Sequence, residues 1–357
     1  MRINFSLMAI LSVLIVGCVQ TTHRSNPSEM EEDRSVMDAD GTAYLTRVVP
    51  VPNTLTAEAR RSLARKVIDP PLGETLSEKR KRTDAYHHAD AEAYLAFYPS
   101  HIEEGSIANV PVRWITPAAG VPDNRKGYVL INLHGGGFTT DSGSLTESIP
   151  IAALTRTKVV AVLYRLAPEH PFPAAVDDAV AVYRELLKSY KPNHIVVYGA
   201  SAGAILTGEM AVKLKILGIP MPAALGILST TGDFSTVGDT QAVYTVTGVA
   251  GRLSPPNPSQ QFLADYVGSA NPRDPVLSPL YADLKGMPPT LFLSSTRDMM
   301  LSSTTVLHRA FLRAGVDSQL VIFEALNHGF WYEAGLPETK EANDIIAHFF
   351  LKNLDLF

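Results

Sequence analysis

Cysteine is nearly absent from this chain: the 357 residues hold one, Cys18. A lone cysteine cannot close an internal disulfide, so an apolar core must hold the fold. A basic excess is missing as well. Lys and Arg number 31 against 36 Asp and Glu, and the formal charge is −5. That leaves no electrostatic footprint for a nucleic-acid partner. No Cys/His spacing matches a zinc site. The nearest cluster, His87-His88-Ala89-Asp90, points adjacent helical side chains in different directions, so it reads as a solvated face. Internal repeats and low-complexity tracts are absent, which excludes solenoid architectures. The N-terminal apolar run, Phe5 to Gly17, falls below the roughly 18 residues that a membrane-spanning helix needs.

What is present is a globular balance, 46% hydrophobic and 19% charged. The length suits one large α/β domain of roughly 300 residues. Arg2 followed by the Phe5 to Gly17 run fits a signal peptide over residues 1–17. The run ends Leu14-Ile15-Val16-Gly17-Cys18, which resembles a bacterial lipobox and makes Cys18 the expected lipid attachment site. The plain alternative is an ordinary signal peptide with an incidental cysteine, but no A-x-A cleavage site lies nearby. Residues 18–41 are polar and read as a lipid-anchored flexible tether, leaving 42–357 as the main domain. Such an anchor implies an exported protein held on a membrane of the bacterial cell envelope. Val19 in place of Asp after the cysteine points to the outer membrane of a Gram-negative cell.

One pentapeptide carries chemistry. Gly199-Ala200-Ser201-Ala202-Gly203 follows the apolar run His194 to Tyr198 and precedes a helical stretch, Ala202 to Leu217. Strand, sharp turn with a central serine, then helix is the context of a nucleophile elbow. Small residues at 199 and 203 let the helix start almost against the strand. A second segment, Leu133-His134-Gly135-Gly136-Gly137-Phe138, ends the strand-like Tyr128 to Leu133. One further strand, Lys158 to Tyr164, and one helix, Ala174 to Ser189, are expected between the two. A serine attacking a carbonyl creates an oxyanion, which needs N–H donors set in advance. Gly135 and Gly136, joined by Ala202 after the serine, are the expected oxyanion hole.

A base and its orienter complete the set. His328, past the strand-like Gln319 to Phe323, is the expected base. Asp298, past Thr290 to Ser294, is the expected orienter, and Asp233, past Ala223 to Leu228, is its rival. Asp298 is favoured because it lies nearer His328 and follows the penultimate strand. The order Ser, Asp, His, each beyond a strand's C-terminal end, suits a site on an open α/β sheet. From Tyr128 onward strands and helices alternate, which implies a mainly parallel sheet covered on both faces.

With these segments the chain resembles the hormone-sensitive-lipase-like bacterial carboxylesterases, α/β-hydrolases with an H-G-G-G motif. The likeness runs from about Ala57 to Leu351. Tyr164-Arg165-Leu166-Ala167-Pro168-Glu169-His170-Pro171-Phe172-Pro173-Ala174-Ala175 and Asp274-Pro275-Val276-Leu277-Ser278-Pro279-Leu280-Tyr281 extend it. Ala200 stands where that family has Asp or Thr, and Ala204 where it has glycine. The resemblance implies an α/β-hydrolase fold with a mostly parallel central sheet and an N-terminal helical lid. It implies a serine hydrolase cleaving carboxylic esters of short to medium acyl chain by a Ser201, His328 and Asp298 triad through an acyl-enzyme. No metal or cofactor is called for, the partner is a small-molecule ester, and family members pair as homodimers through sheet edges or lids. A lactonase or amidase would use the same residues. A long-chain lipase and a non-catalytic binding protein on the same scaffold are further readings.

The remaining expectations concern packing. Residues 57–98 have helical periodicity and read as lid, as does the insertion 234–271. In that insertion Tyr244, Phe262 and Tyr266 either roof the site or form local core. Tyr164 to Ala175 reads as scaffold, its route fixed by Pro168, Pro171 and Pro173. Asp177 and Asp178 then occupy the first turn of the next helix, where the dipole favours negative charge. Val110, Val112 and Trp114 alternate as a strand does. Ala342, Ile345, Ile346, Phe349 and Phe350 form the buried stripe of the last helix.

Overall fold

The computed structural model describes residues 34–46, 48–65, 73–251, 253 and 261–357. Cys18, the signal peptide and most of the tether lie outside the described residues. Among the described residues no helix is long and apolar enough to cross a membrane. The chain divides into two units, residues 1–51 and 52–357.

In the first unit, Arg34–Met37 (β1) pairs antiparallel with Ala43–Thr46 (β2). Gly41, at φ 90°, turns the chain, and Asp40 Oδ1 accepts the Thr42 N–H at 2.9 Å. The hairpin straddles residue 41, so the last part of the expected 18–41 tether holds β1 and its turn.

The second unit opens with Ala57–Leu63 (α1) and Leu76–Phe97 (α2). Thr56 caps α1 and donates to Glu338 through both its N–H, at 2.8 Å, and its hydroxyl, at 2.9 Å. Thr75 and Glu78 close a reciprocal capping box on α2. There follow Ser100–Ile107 (β3), Val110–Pro117 (β4), Val129–Leu133 (β5), Ile149–Thr155 (α3) and Lys158–Val162 (β6). Next are Ala174–Leu186 (α4), Ile195–Ala200 (β7), Ala202–Ile216 (α5), Ala224–Leu228 (β8), Asp239–Val243 (α6) and Ala264–Val267 (α7). The unit closes with Thr290–Ser295 (β9), Leu301–Arg313 (α8), Ser318–Phe323 (β10) and Pro337–Asn353 (α9).

Strands β3 to β10 form one sheet in the order β10-β9-β8-β7-β5-β6-β4-β3. The pairings from β6 across to β10 are parallel, and β3 and β4 add an antiparallel hairpin at one edge. Its turn residues, Ala108 and Asn109, both have positive φ, as a two-residue hairpin loop needs. β5, β7, β8 and β9 are buried along their whole length. That burial on both faces explains their unbroken apolar runs. Alternate side chains feed two cores. Val129, Ile131, Leu133 and Val197 join Val176, Leu206 and Phe311 of the helices on one face. Leu130, Val196 and Tyr198 join Ile149 and Phe350 on the other. The strand order reverses at β5, with β6 on one side and β7 on the other. Open α/β sheets bind ligands at such a switch point, beyond the strands' carboxyl ends.

Several expectations need correcting. α3 is an extra helix between the glycine loop and the serine turn, so two helices and one strand separate them. β3 is mostly exposed and carries no apolar alternation to betray it. Ala342, Ile346, Phe349 and Phe350 are buried, but Ile345 flanks that stripe and is only half-buried. Asp177 lies in the first turn of α4 but Asp178 lies beyond it, and Asp178 instead holds Arg165 through the N–H at 2.9 Å and the guanidinium at 2.8 Å. His87 is not solvated. α2 buries it against the loop after β5, with Nε2 3.4 Å from Ser144 Oγ and 3.8 Å from Asp141. In the insertion, Tyr266 belongs to the core, stacked on Phe138 at 3.4 Å with its hydroxyl donating to Glu209 at 2.5 Å. Tyr244 and Phe262 pack half-buried against the same core. Residues 252 and 254–260 of the insertion lie outside the described residues.

Candidate active site

Where β7 meets α5, Ser201 has φ 55° and ψ −121°. A non-glycine residue held there is strained, and the strain is sustained by its surroundings. Its N–H donates to Leu228 O at 2.9 Å, which ties the turn to β8. The flanking glycines allow the approach. A Cβ on Gly203 would lie 1.7 Å from Leu133 O, and one on Gly199 would lie 2.2 Å from the same oxygen. No side chain fits at either position without moving β5 or α5.

Three predicted residues from three loops meet at this turn. His328 Nε2 is 2.8 Å from Ser201 Oγ, and His328 Nδ1 is 2.9 Å from Asp298 Oδ1. Asp298 is fully buried and also accepts from Ser294 Oγ at 2.8 Å and the Met300 N–H at 2.9 Å. Burial works to raise the Asp298 carboxyl pKa. The charge and hydrogen bond of His328, with the Ser229 hydroxyl and Met300 N–H, outweigh it and hold the group below its ordinary value. Asp298 therefore stays a carboxylate, and Nδ1 keeps its proton toward it. Nε2 is left as an acceptor for the Ser201 hydroxyl. Asp233, the rival, is engaged elsewhere by the Ser235 N–H at 2.7 Å and the Tyr281 hydroxyl at 3.0 Å.

The glycine loop departs from expectation at one position. Gly135 does not offer a free N–H: it donates to Glu147 Oε1 at 3.0 Å. Among the described residues no acceptor takes the N–H of Gly136, Gly137 or Ala202. The loop and turn donors without an acceptor are thus Gly136, Gly137 and Ala202. Gly136 has φ 119°, and a Cβ there would strike Thr140 O at 2.1 Å. The Tyr164 to Ala175 segment supports this loop. Tyr164 stacks on His134 at 4.3 Å and donates to its carbonyl at 2.6 Å, and the Ala167 N–H donates to Phe138 O at 2.8 Å.

Two residues that sequence reasoning missed touch this machinery. Ser229, at φ 60° just past β8, brings its Oγ within 2.9 Å of His328 Nδ1. Glu147 accepts from Gly135, from the Tyr332 hydroxyl at 2.8 Å and from Asn132 Nδ2 at 2.8 Å. Neither lies in a recognisable motif. The only hint for Ser229 is a hydroxyl at a strand's carboxyl end.

Burial pushes the Glu147 carboxyl up to about 7, against the pull of Asn132, Tyr332 and Gly135, and Asp141 adds repulsion. The titratable neighbours that feel its charge are Tyr94, Tyr164, Tyr198 and Tyr332. Above its ordinary 4.5 and up to about 7, folded Glu147 holds a proton that the unfolded chain has lost. Its contribution to stability therefore falls as pH rises through that window. Glu147→Gln should flatten this slope in urea melts compared at about pH 5 and about pH 8. An unchanged slope would contradict the elevated carboxyl.

A hydroxyl bonded to an imidazole, whose far nitrogen rests on a buried carboxylate, can surrender its proton while attacking an electrophilic carbon. Comparison with known proteins gives the same direction. Residues 130–332 match a family model described as alpha/beta hydrolase fold. An acetyl-hydrolase of Streptomyces hygroscopicus is 30% identical over 82% of this chain and 96% of its own. An esterase of Acinetobacter venetianus is 29% identical over 64% of this chain and 76% of its own. The crystal structure of an esterase from the bacterial hormone-sensitive lipase family has a TM-score of 0.70 at 32% identity. It covers 83% of this chain and 96% of that one.

Proposed function

The chain belongs to the α/β-hydrolase family and is a carboxylesterase-type hydrolase, and from that premise we propose that Ser201, His328 and Asp298 are its catalytic triad. The observation that carries this reading is the double engagement of His328, with Ser201 on one nitrogen and Asp298 on the other. His328 takes the Ser201 proton as Oγ attacks the ester carbonyl, while Asp298 stabilises the imidazolium. The Gly136, Gly137 and Ala202 N–H groups receive the oxyanion. The alcohol departs with the proton from His328. Water then attacks the acyl-enzyme and gives its proton to His328, which returns it to Ser201 Oγ as the acid departs.

The preferred substrates are esters of short to medium acyl chain, a reading supported by likeness to an acetyl-hydrolase. α2 acts as part of a lid. Its Arg80 reaches Thr139 O at 2.9 Å beside the glycine loop, and its Tyr94 hydroxyl donates to Trp331 O beyond His328. Cys18 carries a lipid that holds the protein at the cell envelope, supported by the run Leu14 to Gly17 before it.

A series of chromogenic esters from acetate to palmitate, run beside lactones and anilides, tests the substrate reading. Rates should peak among the short esters and fall steadily toward palmitate. A maximum on palmitate, or on a lactone or anilide, would overturn the substrate class and leave the triad in place.

A further inference from the structure

We propose that Glu147 is a positioning residue for this reaction, its buried carboxyl group clamping the glycine loop to the loop that carries His328. The inference rests on the triad reading above. One oxygen, Oε1, takes both the Gly135 N–H and the Tyr332 hydroxyl. Gly135 opens the glycine loop, and Tyr332 lies in the 3-10 turn directly after His328 and Gly329. The second oxygen takes Asn132 Nδ2 from β5, the strand that leads into the glycine loop.

The clamp is itself held at both ends of its own peptide. The Glu147 carbonyl accepts the Tyr198 hydroxyl from β7 at 3.0 Å, and its N–H donates to Gly143 O at 2.8 Å. Two glycines make room for it. A Cβ on Gly143 would lie 1.8 Å from Glu147 Oε1, and one on Gly135 would lie 2.5 Å from the Tyr332 hydroxyl. By taking the Gly135 N–H, Glu147 fixes the first peptide of the loop and leaves Gly136 and Gly137 as its free donors. A misplacement of ~1 Å in such donors costs ~10²-fold in rate.

Hydrogen bonding, not charge, is the working feature. A neutral carboxyl or amide oxygen can accept the same two donors from Gly135 and Tyr332. Asn132 Oδ1 is buried with no partner, so turning the Asn132 amide would let it accept a proton from a neutral Glu147 or from a glutamine.

Glu147→Ala, Glu147→Gln and Tyr332→Phe should be compared with wild type for kcat and KM on p-nitrophenyl butyrate. The rate of Ser201 labelling by a fluorophosphonate should be measured beside them. Glu147→Ala should lower kcat by ~10–100-fold with little change in KM, and slow labelling in parallel. Glu147→Gln should recover most of that loss, and Tyr332→Phe should fall between the two. If Glu147→Ala does not fold, Tyr332→Phe decides: an unchanged kcat there overturns the clamp. A folded Glu147→Ala with wild-type kcat overturns it as well, and so does a glutamine no better than alanine. Wild type that resists labelling at Ser201 would instead sink the triad reading, and this inference with it.

Discussion

Replacing Ser201 with alanine should lower kcat on a chromogenic ester by ~10⁴–10⁶-fold while leaving the fold intact. The argument for the first half is chemical. No other hydroxyl is placed 2.8 Å from His328 Nε2 among the described contacts of that ring. Without it, His328 can activate only water, and the acyl-enzyme route is closed. The argument for the second half is steric. Alanine keeps the Cβ and accepts the same backbone strain at φ 55° as serine does. The Ser201 N–H bond to Leu228 O belongs to the backbone and survives. The melting curve of the variant should therefore overlay that of wild type. Near-full esterase activity in Ser201→Ala would remove the serine from the mechanism altogether.

Asp298→Asn is expected to cost ~10²–10⁴-fold in kcat through loss of the charge that stabilises the imidazolium. Asp298 Oδ1 accepts both His328 Nδ1–H and the Met300 N–H, and Oδ2 accepts Ser294 Oγ. In the amide, the oxygen is held at the Oδ1 place, because an NH₂ there would meet the Met300 N–H donor to donor. The NH₂ takes the Oδ2 place and donates to Ser294 Oγ, which can accept. The ring keeps its tautomer, but the charge that stabilises the imidazolium is gone. Asp233→Asn, made in parallel, should leave kcat close to wild type, because Asp233 serves Ser235 and Tyr281 instead. The reverse ranking would make Asp233 the orienter. Acid stability gives a second reading of the same variant. The Asp298 carboxyl is held below its ordinary value in the folded state, so its contribution is present above the unfolded pKa, 3.8. It is lost as pH falls through the lowered folded value. Asp298→Asn should lack that part of the acid-induced loss.

The sequence revealed those parts of the molecule whose physics is local. β5, β7 and β9 show as unbroken apolar runs because both their faces are covered. Gly199 and Gly203 show because a serine between a strand and a helix needs small neighbours, and the Leu133 carbonyl occupies the space a side chain would take. Asp298 and His328 show because each follows a strand. Less local features stay hidden. β3 lies exposed at an edge and has no apolar pattern to read. The hydrogen bond from Gly135 to Glu147 depends on how a buried side chain turns, so spacing alone does not show that this N–H is already engaged. His87 sits on a helix whose neighbours are polar, and only the tertiary packing of α2 on the Ser144 loop removes it from water. Ser229 is one serine among many until β8 and the His328 loop are side by side.

α9, the last helix, completes one of the two cores, and Glu338 at its start binds Thr56 across 282 residues of chain. Until residues 337–353 have been made, a growing polypeptide lacks the helix that seals this face, and Thr56 at the start of α1 has nothing to grip. Contacts so far apart in sequence form late and slowly. Ser201, Asp298 and His328 are all synthesised before α9, so the order of synthesis separates making these side chains from closing the core behind them.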